Sequence, residues 1–159
     1  VERIVTVTGS VINEPRNFLV PIGTPLHNLI EAAGGFTEEP GKVLVGGPMM
    51  GMAQHSLDAP VVKTVNGILA LSKGEAVVPE PLPCIKCARC VDVCPVYLLP
   101  LRLEAFGMHE MWDEAKEYGA MDCIECGCCT YICPSKRPLL HYIRVAKNQI
   151  VAMSRKQGN

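Results

Sequence analysis

Nine cysteines carry the chemistry legible in this 159-residue chain, and eight of them fall into two copies of one pattern. The first copy is Cys84-x2-Cys87-x2-Cys90-x3-Cys94-Pro95. The second is Cys123-x2-Cys126-x2-Cys129-x3-Cys133-Pro134, each position 39 residues further on. Three thiolates at two-residue spacing suit a tight loop that offers sulfur to three corners of one cubane [4Fe–4S] cluster. The fourth cysteine of such a run serves the other cluster. Crossed ligation assigns Cys84, Cys87, Cys90 and Cys133 to a first cluster, and Cys123, Cys126, Cys129 and Cys94 to a second. Two clusters in one chain are built to pass single electrons. Cys128 aligns in the repeat with Arg89, which cannot be a ligand, and is read as a small, half-buried free thiol.

Two other cysteine chemistries compete. A disulfide framework is disfavoured by the odd count and by the lack of a signal-peptide pattern. Structural zinc takes four ligands in a closed tetrahedral site, usually from two separated Cys-x2-Cys pairs rather than a packed triplet. Pro95 and Pro134 would each open a helix, placing Cys94 and Cys133 at helix N-termini where amide donors favour anionic groups. The plainer reading is that these prolines end the loops. Lys86 and Arg89 lie in the first loop, whereas Asp122 and Glu125 flank or enter the second. Positive charge favours the reduced cluster, so the first cluster is expected to have the higher potential.

The cysteines need a scaffold, and composition bounds it. At 48% hydrophobic and 19% charged, the chain is globular rather than disordered, and its length suits one domain or two small ones. No apolar run approaches the ~18 residues of a membrane span. Thiolate ligands imply a reducing, cytoplasmic compartment. Val1 opens directly into a strand-like pattern without an initiator Met, as expected of a fragment or a processed piece. Net charge is −1 but uneven: residues 134–159 hold Lys136, Arg137, Arg144, Lys147, Arg155 and Lys156 and no acid. Such a tail can meet an acidic partner or an anionic membrane surface, or be a solvated helix face. No aromatic-rich basic pattern supports nucleic-acid binding.

Residues 1–78 read as a small α+β module in the order ββαββ. Ile4 to Val11 alternates, Asn13 to Asn17 turns, and Phe18 to Ile22 forms a second strand. Thr24 would cap a helix with Pro25 at its first position and Leu26, Leu29, Ile30 and Ala33 on one face, stopped by Gly34-Gly35. Lys42 to Val45 is a short strand, and Val61 to Thr64 another, turning at Asn66-Gly67 into Ile68–Leu71. Gly46-Gly47-Pro48-Met49-Met50-Gly51 lacks the Lys-Ser/Thr of a phosphate loop, so a tight loop with exposed Met49 and Met50 is the better reading. Residues 79–83, Pro-Glu-Pro-Leu-Pro, form a stiff linker. In the cluster domain, 84–159, Leu101 to Tyr118 reads as a helix with Leu103, Phe106, Met111 and Ala115 inward. Pro138 to Met153 is a second helix, with Leu139, Ile143, Ala146 and Ile150 on one stripe. The 28 residues between Cys94 and Cys123 exceed the short β-rich joint of compact bacterial ferredoxins. The fold class is therefore α+β: a β-grasp-like roll, then a mainly α-helical ferredoxin domain with two [4Fe–4S] clusters.

Gly-Gly-Pro-Met-Met-Gly, a proline linker and paired cysteine motifs, in that order, resemble the RnfC family of the Rnf (Rsx) electron transport complexes, over essentially the whole chain. The first module resembles the soluble-ligand-binding β-grasp (SLBB) domain. The resemblance implies a relay of electrons within a membrane-bound ferredoxin:NAD oxidoreductase that couples electron flow to ion transport, on the cytoplasmic face of the inner membrane as a peripheral subunit. It also implies FMN and NAD sites in a domain upstream of this sequence. No residue here matches that domain's glycine-rich loop, so no flavin, NAD or catalytic residue is assigned and the chain alone is expected to lack catalytic activity. Implied partners are the other subunits of the complex, with ferredoxin and NADH reached indirectly and membrane contact through the basic C-terminal helix. Two alternatives are an electron-transfer subunit of the fumarate reductase or heterodisulfide reductase type, and a binding module stapled by structural metal.

Overall fold

Period-two alternation makes the first strand. In β1, Glu2–Thr8, Val5 and Val7 are fully buried while Ile4 and Thr6 face outward. β2, Arg16–Pro21, pairs with it antiparallel in the register Val5↔Phe18. Helix α1, Leu26–Ala32, buries Leu26, Leu29 and Ile30 against the sheet. Its C-terminus closes with the amides of Gly34 and Gly35 donating back to Glu31 and Ile30, Gly34 adopting φ +80°. That is the left-handed ending glycine permits. Strands β3, Lys42–Val45, β4, Met52–Gln54, and β5, Gly67–Leu71, complete a five-stranded sheet in the order β2-β1-β5-β3-β4. Only β1 and β5 run parallel. This is the expected α+β roll, with one helix packed on a mixed sheet.

Four details differ from the sequence expectation. Thr24 does not cap α1; its hydroxyl donates to the Pro21 carbonyl, and Pro25 holds the cap position. Residues 61–64 are not a strand. Val61 is a buried anchor whose backbone bonds to Gly23 and Thr24 at the start of α1. Asn66-Gly67 is no hairpin turn, because Gly67 already pairs in parallel with Thr6. The missed strand is β4, joined to β3 by the loop Gly46–Gly51. The Gly51 amide donates to the Gly47 carbonyl across it, and Met49 and Met50 are exposed.

The structure, a computed structural model, describes residues 1–157. They divide into two compact units, the first over Val1–Val78 and the second from Pro79 onward. The second unit is helical: α2 (Arg89–Asp92), α3 (Pro100–Met108), α4 (Trp112–Glu117), a 3-10 turn (Ala120–Asp122), α5 (Cys128–Ile132) and α6 (Leu139–Gln157). Leu139, Ile143, Ala146 and Ile150 lie on the buried stripe of α6, as their spacing predicts. Ile143, Ala146 and Ile150 join Leu103, Ala115 and Ala120 in a core that Phe106 and Trp112 flank. The helix expected over 101–118 is two helices. Glu110 takes φ +58°, and the Met111 amide reaches back to the Phe106 carbonyl, so α3 ends in a left-handed C-terminal motif built on a glutamate instead of a glycine. Met111 consequently lies outside the core, exposed at the start of α4.

Helices α3 and α6 touch closely at Gly107, where an added Cβ would lie 2.4 Å from the Tyr142 carbonyl oxygen. Gly107→Ala should therefore cost about 1–3 kcal/mol through overpacking. It should show as earlier loss of helical ellipticity on chemical denaturation. Gly47→Ala, whose Cβ would meet nothing within 4 Å, should leave the curve in place.

Candidate metal centre

The internal repeat is one of backbone conformation as well as of sequence. Lys86, Ala88 and Tyr97 have φ of 56°, 61° and 54°, and their counterparts 39 residues on, Glu125, Gly127 and Lys136, have 58°, 81° and 51°. A non-glycine residue in this region costs on the order of 1–2 kcal/mol. Five of these six positions carry side chains, so the loops hold a conformation that residue preference alone opposes. The left-handed residues fold each loop back so that its amides meet its own sulfurs. Lys86 N–H donates to Cys84 Sγ at 3.3 Å, and Glu125 N–H donates to Cys123 Sγ at 3.4 Å. Leu98 N–H donates to Cys94 Sγ at 3.3 Å. Donors of this kind stabilise added negative charge on a cluster.

Pro95 and Pro134 do not open helices. Cys94 follows the short α2, Cys133 caps the end of α5, and each begins a β-turn in which the amide three residues on donates to its carbonyl at 3.2 Å. Proline occupies the second position of both turns, which its fixed φ suits. The next helices begin only at Pro100 and Leu139. The plainer reading of these prolines is the right one.

The short helices α2 and α5 pack on each other, and this sets the two motifs side by side. One cavity of about 190 Å³ is lined by Cys84, Cys87, Cys90 and Cys133, with Val91, Leu101 and Leu139 as apolar wall. A second, narrower one of about 20 Å³ is lined by Cys94, Cys123, Cys126 and Cys129, with Leu98, Leu103 and Ile143. Each cavity thus draws three cysteines from one motif and the fourth from the other. Each space is ringed by four thiols, the number a [4Fe–4S] cluster takes. Burial pushes the Cys129 thiol up to about 11 and also raises Cys123 and Cys90. Thiols so placed are thiolates only beside a compensating positive charge, which iron supplies. The donor set fits the expected cofactor.

Charged groups that spacing did not place complete both sites. Beside the first cavity, Arg137 pairs with Glu104, which is 1% exposed, through Nε at 3.1 Å and a second nitrogen at 2.7 Å. Removing one partner would strand a buried charge at a cost of about 3–5 kcal/mol. At the second loop, Glu125 accepts from Lys147 Nζ at 2.8 Å and Arg144 Nε at 2.9 Å. Lys147 foremost, then Arg144, hold its carboxyl below the usual range although burial works the other way. Lys147 also donates to the Cys123 carbonyl at 2.6 Å, tying the loop to α6. Three of the six cations of the basic tail therefore serve the interior of this unit. Their spacing of three along α6, at 144 and 147, was visible; their partner in the loop was not. Ser135, buried in the turn after Cys133, donates to the Pro83 carbonyl at 3.0 Å and accepts at its own carbonyl from Leu82. The end of the proline segment is thus strapped to the second motif. Cys128 opens α5 half-buried, its thiol raised chiefly by a hydrogen bond with Cys126.

Against known proteins, residues 4–53 match the SLBB domain and residues 83–136 match the 4Fe-4S dicluster domain. The chain is 48% identical over 158 residues to the C subunit of the Na(+)-translocating ferredoxin:NAD(+) oxidoreductase complex of Acetobacterium woodii, covering 99% of this chain and 35% of that protein. It is 44% identical over 150 residues to the C subunit of the proton-translocating ferredoxin:NAD(+) oxidoreductase complex of Clostridium ljungdahlii, covering 94% and 33%. It is 49% identical over 150 residues to the C subunit of the ion-translocating oxidoreductase complex of Methanosarcina acetivorans, again covering 94% and 33%. The chain spans about a third of the length of these curated relatives. With an SLBB module followed by a dicluster unit and this level of identity along its whole length, the chain belongs to the RnfC family, the C subunits of the ion-translocating (Rnf) oxidoreductase complexes.

Proposed function

We propose that this chain is the electron-relay portion of a membrane-associated ferredoxin:NAD oxidoreductase that couples electron flow to ion transport. Cys84, Cys87, Cys90 and Cys133 hold one [4Fe–4S] cluster, and Cys94, Cys123, Cys126 and Cys129 hold the other. The observation that carries the reading is the division of eight thiols between two cavities in quartets that cross the motifs. When bound, the clusters supply one-electron oxidation and reduction. The chain supplies the rest. Its thiols anchor the iron, its loop amides favour added negative charge at Cys84, Cys94 and Cys123, and its apolar walls limit water at the second site.

The protein works on the cytoplasmic face of the membrane as a peripheral component, between a flavin- and NADH-binding region and other subunits of the complex. In support, no described helix is long and apolar enough to cross a membrane. Contact with lipid through the C-terminal helix rests on Arg155 and Lys156 in its last turn, since Arg144 and Lys147 bind Glu125. The first cluster has the higher potential. Lys86 lines the first cavity and Arg89 stands at the end of its loop, while Glu125 at the second is offset by two cations. The contrast is smaller than loop composition suggests, and its sign is unchanged.

Anaerobic reconstitution should load about eight irons with matching acid-labile sulfide. Crossed ligation makes a sharper forecast. Cys84→Ala/Cys133→Ala should keep about half the iron, because both residues serve one cluster, whereas Cys84→Ala/Cys94→Ala should lose nearly all of it. The reverse pattern would refute the assignment, and zinc in place of iron would refute the relay. Lys86→Ala/Arg89→Ala should lower the higher of two potentials by tens of millivolts, read by redox titration with EPR; unmoved potentials would remove the charge argument. The chain alone should show no NADH:acceptor turnover.

A further inference from the structure

The 39-residue repeat runs past the cysteine motifs and into the walls of both cavities. Pro134 lines the first cavity and its counterpart Pro95 the second. Leu101 lines the first and its counterpart Leu140 the second. The two sites are built on one plan, so a position at which they differ in charge carries information. Arg137 lines the first cavity, and its counterpart Leu98 lines the second. Glu104 on α3 binds Arg137 through Nε at 3.1 Å and a second nitrogen at 2.7 Å. The counterpart of Glu104 is Ile143 on α6, which lines the second cavity together with Leu98. A two-point ion pair at the first site thus stands where the second has an apolar pair.

The ion pair is oriented. Arg137 lies on the cavity wall, whereas Glu104, 1% exposed, does not reach it and backs the guanidinium instead. Arginine stays protonated at any working pH. The pair is neutral as a whole, so a cluster in the cavity feels the excess of a near positive end over a farther negative one. Arg137 has only 21% of its side chain exposed and is fixed by two hydrogen bonds. Its charge is therefore screened less than that of Lys86 on its exposed loop. We propose that Arg137, positioned by Glu104, holds the potential of the first cluster above that of the second, beyond what the loop cations contribute. Its charge stabilises the reduced first cluster, and Leu98 with Ile143 gives the second no such support. The inference rests on the relay reading above and adds the residues that decide on which cluster the electron rests. One electron moves between the clusters; no bond is made or broken and no proton moves.

The test is a redox titration with EPR detection on the chain reconstituted with iron and sulfide. The first cluster's signal is the one missing from Cys84→Ala/Cys133→Ala. Arg137→Leu/Glu104→Ile gives the first site the residues of the second and strands no charge, an exchange that buried ion pairs often tolerate. At the potential where the parent's first cluster is half reduced, its ratio of reduced to oxidised form should fall at least threefold, about 28 mV for one electron. Glu104→Gln keeps a hydrogen-bonding partner for Arg137 but removes the opposing charge, and there the same ratio should rise at least threefold. The second cluster should shift less in both variants. Opposite signs separate a charge effect from a structural disturbance, which would move both variants the same way. If one variant fails to hold the first cluster, the sign in the other decides. A change below threefold in a loaded variant, the same sign in both, or an equal shift of the second cluster would overturn the proposal. Loss of the first cluster's iron in both variants would make the pair a folding element only, and would overturn it too. A parent chain that loads no iron would overturn the relay reading itself, and this inference with it.

Discussion

Neither cysteine loop can enclose a cluster alone. A seven-residue loop places three thiols on one side of a space, and the fourth must come from elsewhere in the chain. Here it comes from the turn that follows the opposite motif's short helix. Everything in the second unit serves to hold these two segments together. Helix α2 lies on α5, and α3 lies on α6 with Gly107 permitting close approach. Ser135 ties the turn beyond Cys133 to the segment that leads into Cys84. The hydrophobic core beneath, from Leu103 to Ile150, is small, so order at the two sites depends on this cross-linking as much as on burial. Five side-chain-bearing residues held in the left-handed region show how far the loops bend from their preferred conformation to meet that demand.

The charges obey the same logic. A loop that approaches a cluster carries its side chains into a confined space, where an unpaired charge is costly. The unit places Glu104 and Arg137 as a pair beside the first cavity and sets Glu125 between two cations of α6 beside the second. A basic segment that looks like a surface feature on paper thus becomes structural for half its cations. Lys86 and Arg89 escape this neutralisation, and with it the first site keeps a positive, open face.

Much of the architecture could be read from local patterns. The buried stripe of α6, the β1 alternation and the glycine ending of α1 each arise from interactions within a few residues. The readings that failed involve choices made by distant parts of the chain. Val61 was expected in a strand because it is apolar and β-branched; it instead anchors the start of α1 from across the module. Residues 101–118 looked like one helix because no glycine or proline interrupts them between Met108 and Tyr118, yet Glu110 ends α3 in the conformation glycine ordinarily supplies. Cys94 and Cys133 were expected at helix starts because proline favours that position, and proline equally favours the β-turns found there.

The sequence by itself determined the chemistry: eight thiols at repeated spacing, and a length between motifs that exceeds the joint of a compact ferredoxin. Ligand type and loop spacing are local properties, and a single chain displays them directly. Only the tertiary structure decided which thiols share a cavity, which charges are cancelled and which loop stays open to the surroundings. Those outcomes depend on contacts between segments tens of residues apart, whose free energies come from packing and desolvation and leave no spacing to read. Glu125 and Lys86 occupy the same position in the repeat. Glu125 became a neutralised tie to α6 because Lys147 and Arg144 meet its carboxylate, and Lys86 stayed an exposed cation.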